Sequence, residues 1–249
     1  MKKRVMNVLF AVICFVSWAG SSLAADINLS VALGLKDVVT ELSSEFEKKN
    51  PGTAFQRNFA ASGALAKQIA NGAPCDVYLS ANVEWMNYLK GKMLVDTKTV
   101  ANFAFSQLVF VGKPGLHVKT LQDVVTLDRV AIGSPKSVPA GQYAMEAIKS
   151  AKIDRQMENK LVMAKDVREC LMYAERGEVD GAFVYRTDAA FAKHAKILFI
   201  VPQNYYPRVT FLMALTPSGS RKAEAAAFYR FLQSAEAKKV LIRHGFTVN

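Results

Sequence analysis

Histidine, cysteine and tryptophan are scarce in this chain, with three, three and two copies in 249 residues. His117, His194 and His244 stand in no metal-ligand spacing, and no Gly-x-Ser-x-Gly nucleophile turn accompanies them, so they read as surface or structural residues. Ser62 has no base near it in sequence, and Cys75, at a turn before a strand, reads as a small core residue rather than a catalytic thiol. Phosphate-loop and dinucleotide fingerprints are missing too, because Gly112-Lys113-Pro114-Gly115 lacks their spacing and their following helix. The chain has no Gly/Ser-rich linker, no low-complexity stretch and no aromatic-interleaved basic block, which argues against a nucleic-acid partner. No catalytic residue is assigned, and no cofactor or direct metal ligand is expected.

The N-terminus is specific. Met1-Lys2-Lys3-Arg4 precedes an apolar run from Val5 to Ala19, broken only by Asn7 and Ser17, and Ser22-Leu23-Ala24 supplies small residues before Ala25. This pattern predicts a secretory signal over 1–24 and an exported, periplasmic protein. A retained anchor is the competing reading, but the run is short for a spanning helix and no second apolar segment follows. Val12-Ile13 ahead of Cys14 matches a lipoprotein signal poorly. Cys75 and Cys170 remain, and sequence gives no distance between them; two buried free thiols are expected. The formal charge of +11 includes Lys2, Lys3 and Arg4, leaving +8 after cleavage. These charges are scattered as solvated faces that draw anions inward over about a Debye length.

Short apolar strands alternate with amphipathic helices, the pattern of an α/β fold with mainly parallel sheets. Strands are expected at Ile27 to Leu33, Phe55 to Phe59, around Val77, and from Leu108; further ones lie near Arg129 to Ile132, Lys160 to Met163, Gly181 to Tyr185, Ile197 to Val201 and Thr210 to Leu215. Helices are expected from Lys36 to Lys49, after Ser62, around Glu84 to Lys90, from about Arg221 to Phe231, and from Ala235 to His244. We read two lobes, 25–105 with 209–249 and 106–208, joined by a double crossing that makes a hinge and a ligand cleft.

Loops at the strand ends should line that cleft. Asn58 to Ala81 contains Phe59-Ala60-Ala61-Ser62-Gly63-Ala64, which carries little side-chain bulk at a helix N-terminus, a place that favours an anion, and the Ser62 hydroxyl adds a donor. Val138-Pro139-Ala140-Gly141 opens a second helix with Pro139 in its first turn, and Asp166 is a natural N-cap before Val167 and Arg168. Tyr185 ends a strand where its hydroxyl can reach the cleft.

These segments, with Gly72-Ala73-Pro74-Cys75-Asp76, Ser80-Ala81 and Glu84-Trp85-Met86, resemble the periplasmic molybdate-binding proteins of ABC transporters over essentially the whole mature chain. The resemblance implies a type II two-lobe binding protein, a monomer without enzymatic activity, closing on molybdate or tungstate through neutral donors. It places ligand contacts at Gly34, Ser62, Ala140, Val167 and Tyr185, which hold the anion's oxygens rather than the metal. It also implies a membrane permease as partner, docked on the rims near Glu84 and Lys165. One position departs from the pattern: Gly34 stands where the family has serine, keeping the backbone N–H but losing a hydroxyl worth roughly 1.5–3 kcal/mol to a charged ligand. The alternative is the same fold serving another oxyanion or a small organic anion in a sensor or accessory protein, with Arg168 or Arg186 as the carboxylate fork.

Overall fold

The computed structural model describes residues 25–249, so the leader reading, with Cys14, lies outside the described residues. The first sheet contains β1 (Ala25–Ala32), β2 (Thr53–Ala60), β3 (Val77–Ser80), β4 (Ala101–Ser106) and, from far along the chain, β10 (Val209–Leu215), in the order β2-β1-β3-β10-β4. The second contains β5 (Leu108–Gly112), β6 (Val130–Gly133), β7 (Leu161–Ala164), β8 (Gly181–Tyr185) and β9 (Lys196–Ile200), in the order β7-β6-β8-β5-β9. The central strands β3 and β8 are buried along their whole length, as strands covered on both faces must be, hence their continuous apolar sequences.

The sheets are mixed rather than mainly parallel. β2, β1 and β3 run parallel, as do β7, β6 and β8, but β10 is antiparallel to β3 and β4, and β5 is antiparallel to β8 and β9. The reversed strands β5 and β10 are those that enter directly from the other sheet, with no crossover helix to return them in the parallel sense. β4 is a strand that the sequence reading missed; it forms through β10, more than a hundred residues away, and through a bridge from Phe105 to Thr247 near the C-terminus.

Around the first sheet pack α1 (Lys36–Lys49), α2 (Ser62–Ala70), α3 (Val83–Gly91), α8 (Pro217–Ser220), α9 (Ala223–Phe231) and α10 (Ala235–Arg243). Phe228 of α9 meets Phe46 of α1 edge-on at 5.3 Å and Phe55 of β2 at 4.5 Å, which fastens the C-terminal helices to the first lobe. The second sheet carries α4 (Pro139–Ser150), α5 (Asp154–Met157), α6 (Val167–Arg176) and α7 (Arg186–Ala189). The chain changes sheet at Gln107, whose carbonyl accepts from Arg186 N at 2.9 Å, and again between Ile200 and Val209. No helix among the described residues is long and apolar enough to cross a membrane.

Candidate functional site

Three helix N-termini and one tight turn point into the space between the lobes. The β1 strand ends in a single 3-10 turn, Leu33–Leu35, that presents Gly34; α2 begins at Ser62, α4 at Pro139 and α6 at Val167. Gly34, Ser62, Ala140, Val167 and Tyr185 all line one small cavity, together with small or apolar neighbours such as Ala61, Ala81 and Pro139. It offers about 10 Å³ to the centre of a water-sized sphere, so the lobes stand closed around it. Among the described residues, no Lys, Arg or His lines it; Asp166 is the one carboxylate that does, and that group caps α6 by accepting from Glu169 N at 2.8 Å.

The cavity's polar groups are donors. The first N–H groups of a helix have no acceptor within it, and those of Ser62, Ala140 and Val167 have no protein acceptor among the described residues. The Gly141 N–H, by contrast, donates to Val138 O at 3.0 Å. Its role is close packing: a Cβ there would stand 1.7 Å from Gly133 O, so only glycine lets α4 press its first turn onto β6. Ser62 Oγ accepts from Ala81 N at 2.9 Å, which fixes the side chain and frees its proton to donate. Tyr185 Oη is fully buried with no hydrogen-bond partner among the described residues. Burial raises the Tyr185 pKa well above the ordinary phenol range, keeping the hydroxyl protonated and available as a donor.

Several contacts cross between the lobes. Gly63 N donates to Ser137 O at 3.0 Å, and Gln142 of α4 bridges Asn82 and Glu84, donating to Glu84 Oε2 at 2.7 Å. Arg168 of α6 is shared by two carboxylates, Asp188 of its own lobe at 2.6 Å and Asp37 of α1 in the other. Burial opposes the charge on Arg168, but Asp188 and Asp37 outweigh it and raise its pKa. Arg168 also lies over the Phe191 ring at 4.3 Å. Neither Arg168 nor Arg186 lines the cavity; Arg186 is exposed and donates to Gln107 Oε1 at 3.2 Å.

At Gly34, a Cβ would stand 3.3 Å from Asp188 Oδ2 and 3.4 Å from the Tyr185 ring. A serine would fit only tightly, and its hydroxyl would meet a carboxylate oxygen that has no partner of its own. Asp188 is the feature that sequence reading missed: its motif, Tyr185-Arg186-Thr187-Asp188, gives no sign that the carboxylate turns inward to full burial. Asn82, also passed over, is an N-cap residue whose side chain accepts from Trp85 N at 3.2 Å.

Cys75 and Cys170 are buried and free, one in each lobe, and burial pushes the Cys75 thiol up to about 12. No cluster of His, Cys, Asp and Glu suited to a metal ion occurs among the described residues.

The family model for bacterial extracellular solute-binding proteins matches residues 27–247. The chain belongs to this family. Among solute-binding relatives, it is 33% identical to the putative ABC transporter substrate-binding lipoprotein YvgL of Bacillus subtilis, covering 89% of this chain and 86% of that protein. It is 31% identical over 262 residues to the molybdate-binding protein ModA of Escherichia coli, covering 100% of each. The substrate-binding domain of a putative molybdenum ABC transporter from Clostridium difficile superimposes with a TM-score of 0.70 at 29% identity, covering 90% of this chain and 99% of that one. The periplasmic molybdate-binding protein of Azotobacter vinelandii shares the two-lobe α/β fold, with a TM-score of 0.79 at 23% identity and coverage of 90% and 99%.

Proposed function

We propose that this solute-binding protein captures molybdate, and tungstate with it, in the cavity between its lobes and delivers it to the membrane permease of an ABC transporter. The observation that carries the reading is the donor set itself. Backbone N–H groups of Gly34, Ser62, Ala140 and Val167 and the hydroxyls of Ser62 and Tyr185 converge from both lobes on one cavity that no cation lines. Fixed dipoles at helix N-termini can hold a dianion without a countercharge, and a closed, water-excluding cavity strengthens each bond. Selection against sulfate and phosphate rests on cavity size and on the lack of acceptors for a proton carried by the ligand.

On this reading the five residues contact the anion's oxygens, the protein acts in the periplasm as a monomer without a cofactor, and it catalyses no reaction. Its molybdate-binding relatives in Haemophilus influenzae and Escherichia coli support the choice of anion. Purified protein incubated with molybdate and then desalted should retain stoichiometric molybdenum by elemental analysis. Retention no greater than that of an unrelated basic protein would contradict the reading.

A further inference from the structure

Asp188 is a buried carboxylate with one oxygen committed and one free. Oδ1 accepts from Arg168 Nε at 2.6 Å; Oδ2 has no partner and lies 3.3 Å from where a side chain at position 34 would begin. Gly34 itself lines the anion cavity, so this free oxygen sits directly behind the cavity wall. The charge count around it is unbalanced. Among the described residues, Arg168 is the one cation paired with Asp188, and it serves Asp37 as well. The Asp37 contact crosses from the other lobe. A dianion held in the adjoining cavity therefore adds its charge to that of Asp37 beside a carboxylate that water cannot reach.

We propose that anion capture at this site draws a proton from solvent onto Asp188 Oδ2, so that Asp188 acts as a positioning residue coupling closure and affinity to pH. The step is a simple protonation: an O–H bond forms at Oδ2, the carboxylate charge is cancelled, and the dianion enters unaltered. Arg168 is then left paired with Asp37 across the lobes, with the neutral Asp188 still accepting through Oδ1. The glycine at position 34 permits this, because a hydroxyl there would satisfy Oδ2 and favour its ionised form.

The groups that face Asp188 agree on direction. Burial raises the Asp188 pKa most, Arg168 opposes, and Asp37 of α1 and Asp166 at the start of α6 raise it further, to about 7. Tyr185 of β8 and Cys170 of α6 also lie near it, and burial holds both protonated and uncharged. His244, after α10, lines the small crevice beside Gly34 with Asp37, Arg168 and Thr187, and it is bonded to Glu41 at 2.6 Å. Its position in that crevice makes His244 the control substitution.

The inference rests on the oxyanion reading, and one experiment separates the two. Isothermal titration with molybdate, in two buffers of different ionisation enthalpy across about pH 6 to 9, counts the protons taken up per anion bound. With Asp188 titrating near pH 7, the count should approach one at alkaline pH, and affinity should fall by up to tenfold per pH unit there. Asp188→Asn should abolish the uptake and flatten the profile, whereas His244→Gln should retain both. Tight binding without proton uptake overturns this inference and leaves the oxyanion reading standing; so does uptake that persists in Asp188→Asn or vanishes in His244→Gln. Absence of binding at every pH overturns the oxyanion reading and this inference with it. Should Asp188→Asn fail to fold, the wild-type proton count and His244→Gln still decide.

Discussion

The backbone N–H of Gly63 donates to the carbonyl oxygen of Ser137 at 3.0 Å, a hydrogen bond that ties the first turn of α2 to the loop before α4 in the opposite lobe. The approach is this close because Gly63 has no side chain. A Cβ there would stand 2.5 Å from the Trp85 ring and 2.8 Å from Ser137 Cα.

Gly63→Ala should therefore hold the lobes apart. Backbone at Ser137 cannot yield as a flexible side chain would, and overpacking of this kind costs about 1–3 kcal/mol, or roughly five- to more than a hundredfold in affinity. Trp85 is the one tryptophan among the described residues and is wedged at this junction, so its fluorescence reports closure. A molybdate titration followed by that signal should shift to higher concentration in Gly63→Ala; a superimposable curve would place closure elsewhere.

Tyr185→Phe separates function from stability. The hydroxyl has no partner in the fold, so deleting it removes a desolvated donor, and the ligand-free protein should be as stable as wild type or more so by about 1 kcal/mol. The same deletion removes a bond to the anion and should weaken molybdate binding about ten- to a hundredfold. Denaturant unfolding and calorimetric titration of one preparation test both halves; a loss of stability with unchanged affinity would refute both.

Stability of the ligand-free protein should carry the signature of Asp188. Its pKa is raised by burial from 3.8 to about 7, so between those values the native state binds more protons than the unfolded chain. Stability must then fall as pH rises through that window, opposite to a salt-bridged carboxylate of lowered pKa such as Glu41 beside His244. The difference between wild type and Asp188→Asn isolates the effect: unfolding curves at several pH values should show the variant gaining relative stability from about pH 4 to 7. A flat difference would mean that Asp188 stays ionised throughout.

Gly34→Ser introduces a hydroxyl at a place where it has a buried acceptor waiting in Asp188 Oδ2. The hydroxyl should turn to that carboxylate, raising ligand-free stability by about 1 kcal/mol and giving the anion less than the tenfold gain expected of a direct bond. A large gain in molybdate affinity with no change in unfolding midpoint would show that it turns to the anion instead.

The elements that build the cavity were legible because local chemistry decides them. Pro139 at a first helical turn, Asp166 as an N-cap and the Ser62-Gly63-Ala64 run mark helix N-termini wherever they occur. Ala140, Val167 and Tyr185 stand at those helix and strand ends, but it was the family resemblance that singled them out as contacts; the structure brings them with Gly34 and Ser62 to one cavity. What stayed hidden depends on contacts distant in sequence. β4 exists through β10, and the mixed sheets follow from where the chain changes lobe rather than from strand composition. The burial of Asp188 depends on Arg168, twenty residues earlier, and the sharing of that guanidinium depends on Asp37 from the other lobe. No periodicity encodes a charge pair across a hinge.

The most direct test of the central claim is calorimetric titration of the protein, freed of endogenous anion, with molybdate, tungstate, sulfate and phosphate in parallel. The account predicts tight, one-site binding of molybdate and tungstate and weak or no binding of the two smaller anions. Equal affinity for all four, or binding of sulfate or phosphate alone, would contradict a cavity that selects its dianion by size through neutral donors.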